Sequence, residues 1–390
     1  MNALTVLAIV LMAAGPIQFT RHDIDSYPGG YQLATADVDG DGRPDVIALS
    51  TSADRVDWYH NPDWTRRPVA QTPRNIDLAV CEVGGQLEIA LASGFYFSES
   101  DRGGQIQVLR KPDRLDEPWP IELLAVDPVV HRLRWGDLDG DGRLELVHAP
   151  IFGRGSDAVR DPKPAHLWAF RRPIAPGADD WPVWKIDETL TVLHGLYVGD
   201  LDGDGKDELL TASFEGIFQF DFDGDPPKWR RTLLSAGAPP AEDKPGSPRG
   251  TSEVVPGMLG PQRWFLAAIE PWHGHQVVVY TPADGGRRWN RRVLDESLKE
   301  GHALVVADFD GDGADEIVAG WRGGGGGLAL YDAADGEGRQ FAKHVIDSGI
   351  AVEGALAADL NLDGALDLAV IAGRTNNLVW YENKGAAPSP

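Results

Sequence analysis

The segment "LHGLYVGDLDGDGKDELL" (residues 193–210) combines an Asp- and Gly-rich loop with a histidine six residues ahead of it. Aspartates occupy the odd loop positions from Asp200 onward, and Glu208 occupies position nine. Calcium takes roughly six to eight oxygen ligands in a flexible geometry, which such closely spaced carboxylates supply. An EF-hand needs a glutamate at position twelve and flanking helices, but position twelve is Thr211 and "DELLTAS" is typical of a strand. The segment therefore predicts a calcium loop between two β-strands.

The same pattern recurs four more times, as "DVDGDGRPD", "DLDGDGRLE", "DFDGDGADE" and "DLNLDGALD", each between short apolar stretches. Recurrence of one strand–loop–strand unit indicates a repeat architecture. The structural calcium ligands predicted for up to five loops are Asp37, Asp39, Asp41, Asp45, Asp137, Asp139, Asp141, Glu145, Asp200, Asp202, Asp204, Glu208, Asp308, Asp310, Asp312, Glu316, Asp359, Asn361, Asp363 and Asp367.

A second marker counts the units. An aromatic residue followed by a polar, β-rich run begins at seven positions: Phe19, Trp64, Trp119, Trp184, Trp229, Trp289 and Phe341. Two units, around Cys81 and Leu259, keep the strands but have shortened loops without the acidic pattern. Seven units of about four short strands each predict an all-β, seven-bladed β-propeller. "FTRHDIDS" and "FAKHVIDS" are near copies, so we expect the N-terminal strand to complete the last blade and close the ring.

Composition and the chain ends complete the domain prediction. We expect one propeller domain over 16–384 and a flexible tail over 385–390. Residues 1–15 form an apolar run that ends in small residues, as in a secretory signal peptide, and the run is too short for a membrane span. A secreted or periplasmic protein would meet the calcium that the loops require. The formal net charge of −24 argues against nucleic acid as a partner.

The histidine of the opening segment belongs to a series. Six residues ahead of each loop, or at the aligned position of the shortened units, we expect side chains that start the innermost strands and converge at the channel mouth, on the rim opposite the loops. Six of these are the predicted catalytic residues: Tyr31, His131, His194, Glu253, His302 and Glu353. Histidine and carboxylate are the usual ligands of a transition metal such as zinc, so one such ion at the channel mouth is a further prediction.

Loops predicted at the same rim supply candidate substrate contacts. They include the long, charged loop 150–166 and the aromatic, His-rich segment "EPWHGHQ" at 270–276. With the remaining series position, the predicted substrate-binding residues are Asn75, Tyr96, Arg154, Trp272, His273, His275, Trp321, Arg322 and Arg374.

The "D-x-D-G-D-G" units resemble FG-GAP/VCBS repeats, the calcium-loop propeller repeats that also occur in integrin α-chains. A narrower resemblance is carried by residues 131–153 ("HRLRWGDLDGDGRLELVHAPIFG") and 300–321 ("EGHALVVADFDGDGADEIVAGW"). These segments are similar to the propeller of aldos-2-ulose dehydratases, enzymes that eliminate water from keto-sugars. This resemblance implies a small sugar as substrate and a carbon–oxygen lyase as activity.

Three functions stay open at this point. The first is a metal-dependent dehydratase in which a neutral histidine removes the proton α to a carbonyl, the metal or Arg322 stabilises the enolate, and a second acid protonates the leaving hydroxyl. The second is a secreted propeller that binds a glycan or a protein without catalysis. The third is a polysaccharide lyase, which the acidic net charge disfavours. The sequence does not identify the substrate, the role of each histidine or the oligomeric state.

Overall fold

The computed structural model describes residues 16–173, 181–224 and 226–386, and the predicted signal peptide lies outside them. In the described residues, 28 strands form seven four-stranded antiparallel sheets, and one short 3-10 turn (Asp284–Gly286) is the only helical element. The predicted all-β, seven-bladed propeller is confirmed. No helix in the described ranges is long and apolar enough to cross a membrane.

Each blade is numbered here from its innermost strand outward. Blade 1 contains β2 (Gly30–Ala36), β3 (Asp45–Ser50), β4 (Arg55–His60) and β5 (Thr65–Ala70). Blade 2 contains β6 (Asp77–Val83), β7 (Gln86–Ser93), β8 (Gln105–Arg110) and β9 (Ile121–Val126). Blade 3 contains β10 (Arg132–Gly136), β11 (Glu145–Ala149), β12 (Leu167–Phe170) and β13 (Val183–Asp187). Blade 4 contains β14 (Gly195–Gly199), β15 (Glu208–Ser213), β16 (Gly216–Phe222) and β17 (Trp229–Ser235).

The remaining blades follow the same order. Blade 5 contains β18 (Glu253–Met258), β19 (Trp264–Glu270), β20 (Gln276–Ala283) and β21 (Arg288–Asp295). Blade 6 contains β22 (Gly301–Ala307), β23 (Glu316–Trp321), β24 (Gly327–Ala333) and β25 (Phe341–Asp347). Blade 7 contains β26 (Gly354–Ala358), β27 (Asp367–Ala372), β28 (Asn377–Ala386) and, outermost, β1 (Ile17–Ser26).

The core lies between neighbouring blades. The second strand of a blade is covered on both faces, and every residue of β3, β11, β15 and β27 is buried. One interblade cluster joins Val318 and Leu330 of blade 6 to Leu368 and Val370 of blade 7. Such doubly covered strands read as continuous apolar runs rather than as alternating ones.

The N-terminal strand β1 pairs antiparallel with β28, from Ile17 opposite Ala386 to Ser26 opposite Asn377. The last strand therefore extends through residues 385 and 386, two residues past the boundary expected for a flexible tail, because Ile17 pairs with its end; 387–390 lie outside the described residues. On the adjacent blade, the Tyr59 hydroxyl donates to Asp25 of β1 at 2.7 Å.

The Tyr–Asp contact repeats along the ring and explains the near copies in the sequence. Tyr331 of blade 6 donates to Asp295 of blade 5 at 2.6 Å, and Tyr381 of blade 7 donates to Asp347 of blade 6 at 2.7 Å. An offset shared by these three repeats thus becomes a hydrogen bond between successive blades.

Candidate functional site

The residue that starts each innermost strand lies at one end of the central channel. His131, His194 and Glu353 immediately precede β10, β14 and β26, while Glu253 is the first residue of β18. His302 and Tyr31 are the second residues of β22 and β2. Because blades are related by rotation about the channel axis, equal offsets in the repeats bring these side chains together.

Four histidines form what we call the histidine layer: His131, His194, His273 and His302. His273 comes from the turn between β19 and β20. Its Nε2 atom lies 3.0 Å from Nε2 of His194, and the His194 ring centroid lies 4.7 Å from that of His131 and 5.2 Å from that of His302. The Tyr31 hydroxyl lies 3.0 Å from Nε2 of His302.

Two of these rings are oriented from behind by acceptors. Nδ1 of His194 lies 3.1 Å from the Ser252 carbonyl oxygen and 2.8 Å from Oε1 of Glu253. Nδ1 of His302 lies 2.6 Å from the Glu353 carbonyl oxygen. A carbonyl oxygen only accepts hydrogen bonds, so both rings carry their proton on Nδ1 and direct the Nε2 lone pair inward.

Two arginines pair with the carboxylates of the layer. Arg132 Nη2 lies 3.0 Å from Glu253, and Arg322 Nη1 lies 2.7 Å from Glu353. Arg322 also approaches the imidazole of His273, with Nη2 at 3.1 Å from Nδ1. Arg374 closes the rim above through a 2.6 Å ion pair with Glu300.

Burial keeps the histidines neutral. Desolvation, followed by the charge of Arg132, holds the pKa of His131 well below its usual value. Desolvation does the same to the pKa of His273 and of His302, with Arg322 nearby in both cases. Desolvation also lowers the pKa of His194, although Glu253 opposes the shift.

The pKa values of the two carboxyl groups of the layer are shifted in opposite directions. Burial raises the pKa of Glu353, and Arg322 only partly opposes it. Burial acts in the same direction on Glu253, but Arg132 and His194 outweigh it and lower its pKa below the usual value. Opposed environments of this kind are what separate an acid from a base in one site.

The layer lies between two cavities. On the rim side, His131, His194, His273 and Arg322 line a cavity of about 580 Å³. On the side of the acidic loops, His302, Arg132 and Glu253 line a cavity of about 450 Å³, and Glu353 lines both. His131, His194 and His302 are only 1%, 0% and 3% exposed, so these three rings lie inside the channel, away from bulk water.

Polar atoms around the rim cavity remain open. Nδ1 of His131 and Nε1 of Trp272 are buried and have no hydrogen-bond partner among the described residues, and both residues line the rim cavity. Nη1 of Arg132 is open in the same way but belongs to the loop-side cavity. Buried polar atoms are normally satisfied, so the open atoms of His131 and Trp272 indicate a place for a polar ligand in the rim cavity.

Several predicted substrate contacts lie elsewhere. Asn75 is fully buried and holds the Ser50 and Arg55 carbonyl oxygens, so it fastens blades 1 and 2 instead of reaching the cavity. Tyr96 is stacked between Arg74 and Arg102, with centroid distances of 4.5 and 4.1 Å. Trp321 packs into the cluster between blades 5 and 6. Arg154 and His275 are exposed and do not line the cavity.

Trp272, His273, Arg322 and Arg374 do line the rim cavity, as predicted for substrate contacts, although their roles stay predictions. The sequence reasoning missed Arg132 and Phe97. Arg132 follows His131 directly, so its neighbour in the chain was the available signal. Phe97 stacks on Trp272 at 6.5 Å with an interplanar angle of 1°, a long-range contact with no sequence signal.

The acidic loops lie at the opposite end of the blades and share one geometry. In the blade-4 loop, the first aspartate, Asp200, accepts the amides of Gly203 and Gly205 at 2.7 and 3.1 Å. The position-nine carboxylates Asp45, Glu145, Glu208, Glu316 and Asp367 are buried and each accepts the amide of loop position two. In the blade-4 loop, Gly203 and Gly205 have φ angles of 80° and 85°, which glycine adopts readily because it lacks a Cβ.

The donor set suits a hard cation. Ligand oxygens of Asp200, Asp202 and Glu208 lie within 4.8 Å of one another, as do those of Asp137, Asp139 and Glu145. In the blade-3 loop, Asp137 Oδ1 and Glu145 Oε1 are buried with no hydrogen-bond partner among the described residues. Oxygens left open in this way fit calcium coordination.

Comparison with known proteins agrees with this architecture. Residues 103–283 match the family model of the aldos-2-ulose dehydratase β-propeller domain, 308–370 match an FG-GAP-like repeat and 29–56 match an FG-GAP repeat. Aldos-2-ulose dehydratase of Phanerodontia chrysosporium is 25% identical over 385 residues, covering 90% of this chain. The match spans 41% of that enzyme's length.

A solved structure of an Agrocybe aegerita lectin, described as specific for non-reducing terminal N-acetylglucosamine, aligns with a TM-score of 0.50 and 15% identity. The alignment covers 86% of this chain and 81% of the lectin and supports the fold alone. The chain is thus a seven-bladed β-propeller with FG-GAP repeats whose residues 103–283 are similar to the aldos-2-ulose dehydratase β-propeller domain.

Proposed function

We propose that this propeller is a carbon–oxygen lyase that removes water from a keto-sugar in the rim cavity. The observation that carries the proposal is the buried, neutral histidine layer with open polar atoms beside a cavity of about 580 Å³. The similarity of residues 103–283 to a dehydratase domain supports the reaction class.

The proton acceptor in this proposal is His131. Its Nδ1 atom has no partner among the described residues, and desolvation holds its pKa well below the usual value, so the ring is neutral and its lone pair is available. His131 would take the proton from the carbon next to the carbonyl, and the electron pair would move onto the carbonyl oxygen as an enolate. The guanidinium group of Arg322, which lines the same cavity, would stabilise this charge in a region with little water.

The second half of the reaction needs an acid. As the enolate collapses to a carbon–carbon double bond, the C–O bond on the next carbon breaks and the hydroxyl leaves with a proton. Glu353 is suited to supply that proton because burial raises its pKa and it lines the cavity. The products are an unsaturated ketone and water.

Two kinds of metal ion fit the residues present. Calcium in the acidic loops would be structural and lie away from the histidine layer. At the layer, ligand atoms of His194, His273 and His302 lie within 4.8 Å of one another, a spacing suited to zinc. When bound, such an ion supplies a Lewis acid for a carbonyl oxygen. The predicted binding of calcium by the loops and the apolar run over residues 1–15 support the proposal that the protein works outside the cytoplasm.

The direct test is incubation of the purified protein with an aldos-2-ulose, with and without added zinc. We expect the absorbance of a conjugated enone to rise and the substrate to lose one water by mass spectrometry. A His131→Gln variant should lose most of the rate, whereas His275→Ala, an exposed change in the same rim region, should keep it. No enone from the wild-type protein across a panel of keto-sugars would refute the lyase proposal.

The second candidate is binding of a carbohydrate without catalysis. The stacked pair of Phe97 and Trp272 gives the rim cavity an aromatic wall, and sugars bind readily to such faces. Saturable binding of a glycan to wild type, with loss of that binding in Trp272→Ala and no turnover, would favour this candidate.

A further inference from the structure

The donors and acceptors of the histidine layer form a chain whose proton positions can be assigned one by one. Arginine carries only donors, so Arg322 Nη2, at 3.1 Å from His273 Nδ1, must donate to a lone pair on that nitrogen. The neutral His273 ring then carries its proton on Nε2. That proton is directed at Nε2 of His194, 3.0 Å away, which is itself a lone pair because Nδ1 of His194 donates to Ser252 and Glu253.

The three rings that could hold one ion are therefore not equivalent. His194 and His302 both have acceptors behind Nδ1, the arrangement that fixes a histidine as a metal ligand through Nε2. Behind Nδ1 of His273 stands a donor. If His273 bound an ion through Nε2 while Arg322 donated to Nδ1, its ring would have to lose both protons and become an imidazolate.

We infer that Arg322 excludes His273 from the ligand set of the layer, so that a transition-metal ion is held by His194 and His302 with the adjacent Tyr31 oxygen, and His273 serves as a hydrogen-bond donor through Nε2–H. With an ion on Nε2 of His194, the His273 proton no longer has an acceptor there. It then points to the oxygen of whatever molecule occupies the rim cavity. Arg322 acts through His273 and is a positioning residue.

This ligand set deepens the proposed function and rests on it for its setting, but its test needs no turnover. Long-range ¹H–¹⁵N spectra of ring-labelled protein report histidine tautomers directly. In metal-free protein we expect the Nε2–H tautomer for His273 and the Nδ1–H tautomer for His194 and His302. An Nδ1–H tautomer at His273 would overturn the inference, since it would mean that Arg322 does not donate there.

Zinc binding separates ligands from neighbours. Zinc titrations of calcium-saturated protein against a competing chelator measure the affinity of the layer. We expect His194→Ala and His302→Ala each to lower zinc affinity by more than the ~10–100-fold that removal of an outer-shell partner causes. His273→Ala should lower zinc affinity by less than about tenfold, which is below the outer-shell range. Exposed His275→Ala should bind zinc as tightly as wild type. Equal, large losses in His273→Ala and His302→Ala would refute the assignment, as would wild-type protein that binds no zinc at the layer.

A charge-controlled pair of variants tests the role of Arg322. In Arg322→Gln, the amide oxygen can accept from Nδ1–H, which frees Nε2 of His273 as a third ligand, so zinc affinity should rise. Arg374→Gln removes one positive charge from the same rim without touching His273 and should raise affinity less. Affinity that rises equally in both variants would show a purely electrostatic effect and refute the positioning role. If zinc binding follows the inference while every keto-sugar stays intact, the lyase proposal fails and the ligand set stands.

Discussion

The two ends of the central channel assemble ionisable groups in opposite ways. Each acidic loop takes its carboxylates from one nine-residue segment, and apart from the buried position-nine residue they are exposed or half-buried. The histidine layer takes each side chain from a different strand or turn of blades 3 to 6. His131, His194 and His302 are almost wholly buried, and His273 is half-buried. One end is thus a local property of each repeat, whereas the other exists only because the ring closes.

The charge balance differs in the same sense. Within the blade-4 loop, Asp200, Asp202 and Glu208 lie close together, and Asp221 of β16 adds a further carboxylate. In the histidine layer, each carboxylate is matched by a guanidinium, Arg132 for Glu253 and Arg322 for Glu353. The clustered carboxylates of the blade-4 loop favour the predicted binding of a cation there, whereas the protein itself supplies the counter-charges of the layer.

Removal of β1 should open the ring and thereby disturb both ends of the channel, so it has the largest expected effect. Deleting residues 16–26 removes the partner of β28 and the Asp25 acceptor of Tyr59, so blade 7 gains an exposed edge that can pair with other chains. We expect association in size-exclusion chromatography and faster proteolysis. A monomeric, equally resistant truncated protein would show that the ring does not depend on this strand.

Chelation should separate the two ends. Each calcium ion bound at 100 times its dissociation constant contributes about 2.7 kcal/mol to stability, so loss of several ions should lower the melting temperature in steps. The histidine layer has internal counter-charges, so its tautomers in ¹⁵N spectra should survive partial chelation below the transition. The melting temperature in chelator and after calcium is restored gives the test, and an unchanged value contradicts structural calcium.

Replacement of His302 by alanine should act on the layer alone. We expect turnover of a keto-sugar to fall by about 10²–10⁴-fold, the range of lost acid–base or electrophilic assistance. The Tyr31 hydroxyl and the Glu353 carbonyl oxygen would lose a partner, at a cost of about 1–3 kcal/mol in unfolding free energy. Calorimetry and rate measurements on His302→Ala, with exposed His275→Ala as the control, distinguish a site residue from a packing residue.

A smaller effect should sharpen the comparison within the acidic loops. The guanidinium of Arg171 lies 2.9 Å from Asp139 and 2.7 Å from Asp141, so a positive side chain already pairs with the carboxylates of the blade-3 loop. Blade 4 has a carboxylate, Asp221, at the equivalent position. We expect Arg171→Met to strengthen calcium binding severalfold, since unit charges about 4 Å apart in water interact by about 1 kcal/mol. Calorimetric titration compared with Arg114→Met, which removes an exposed arginine from blade 2, where the loop lacks the acidic pattern, checks the result. Equal changes in both variants would contradict a local effect of Arg171.

The last prediction concerns the dependence of stability on pH. The folded-state pKa of His131 lies well below its usual value through desolvation and then through Arg132 and His194. Near pH 6.5 the unfolded chain therefore binds a proton at His131 that the folded protein does not bind. The contribution of neutral, buried His131 to folding stability is thus fully present above about pH 6.5 and is lost as the pH falls. The free energy of unfolding of wild type relative to His131→Gln, measured by denaturation at each pH, should decrease from pH 7.5 to 5, by at most about 1.4 kcal/mol per pH unit. A difference that is constant with pH would mean that His131 titrates normally.

By itself the sequence determined the repeat number, the strand order and the acidic loops. Each of these depends on residues within about fifty positions of one another: the aspartate spacing, the glycines with positive φ and the apolar second strands. It also placed His131, His194 and His302 at equal offsets, and rotational symmetry turned those offsets into proximity. The role of calcium in the loops stays a prediction.

Only the tertiary structure decided which polar residues form the site. His273, in a turn, and Arg132, beside a predicted residue, enter the layer, whereas Asn75 occupies a series position and is used to fasten two blades. The tautomers of the rings were likewise invisible in the sequence, because they depend on whether a donor or an acceptor from another blade lies behind each Nδ1 atom. A hydrogen bond between blades is set by closure of the ring, and no spacing along the chain encodes its direction.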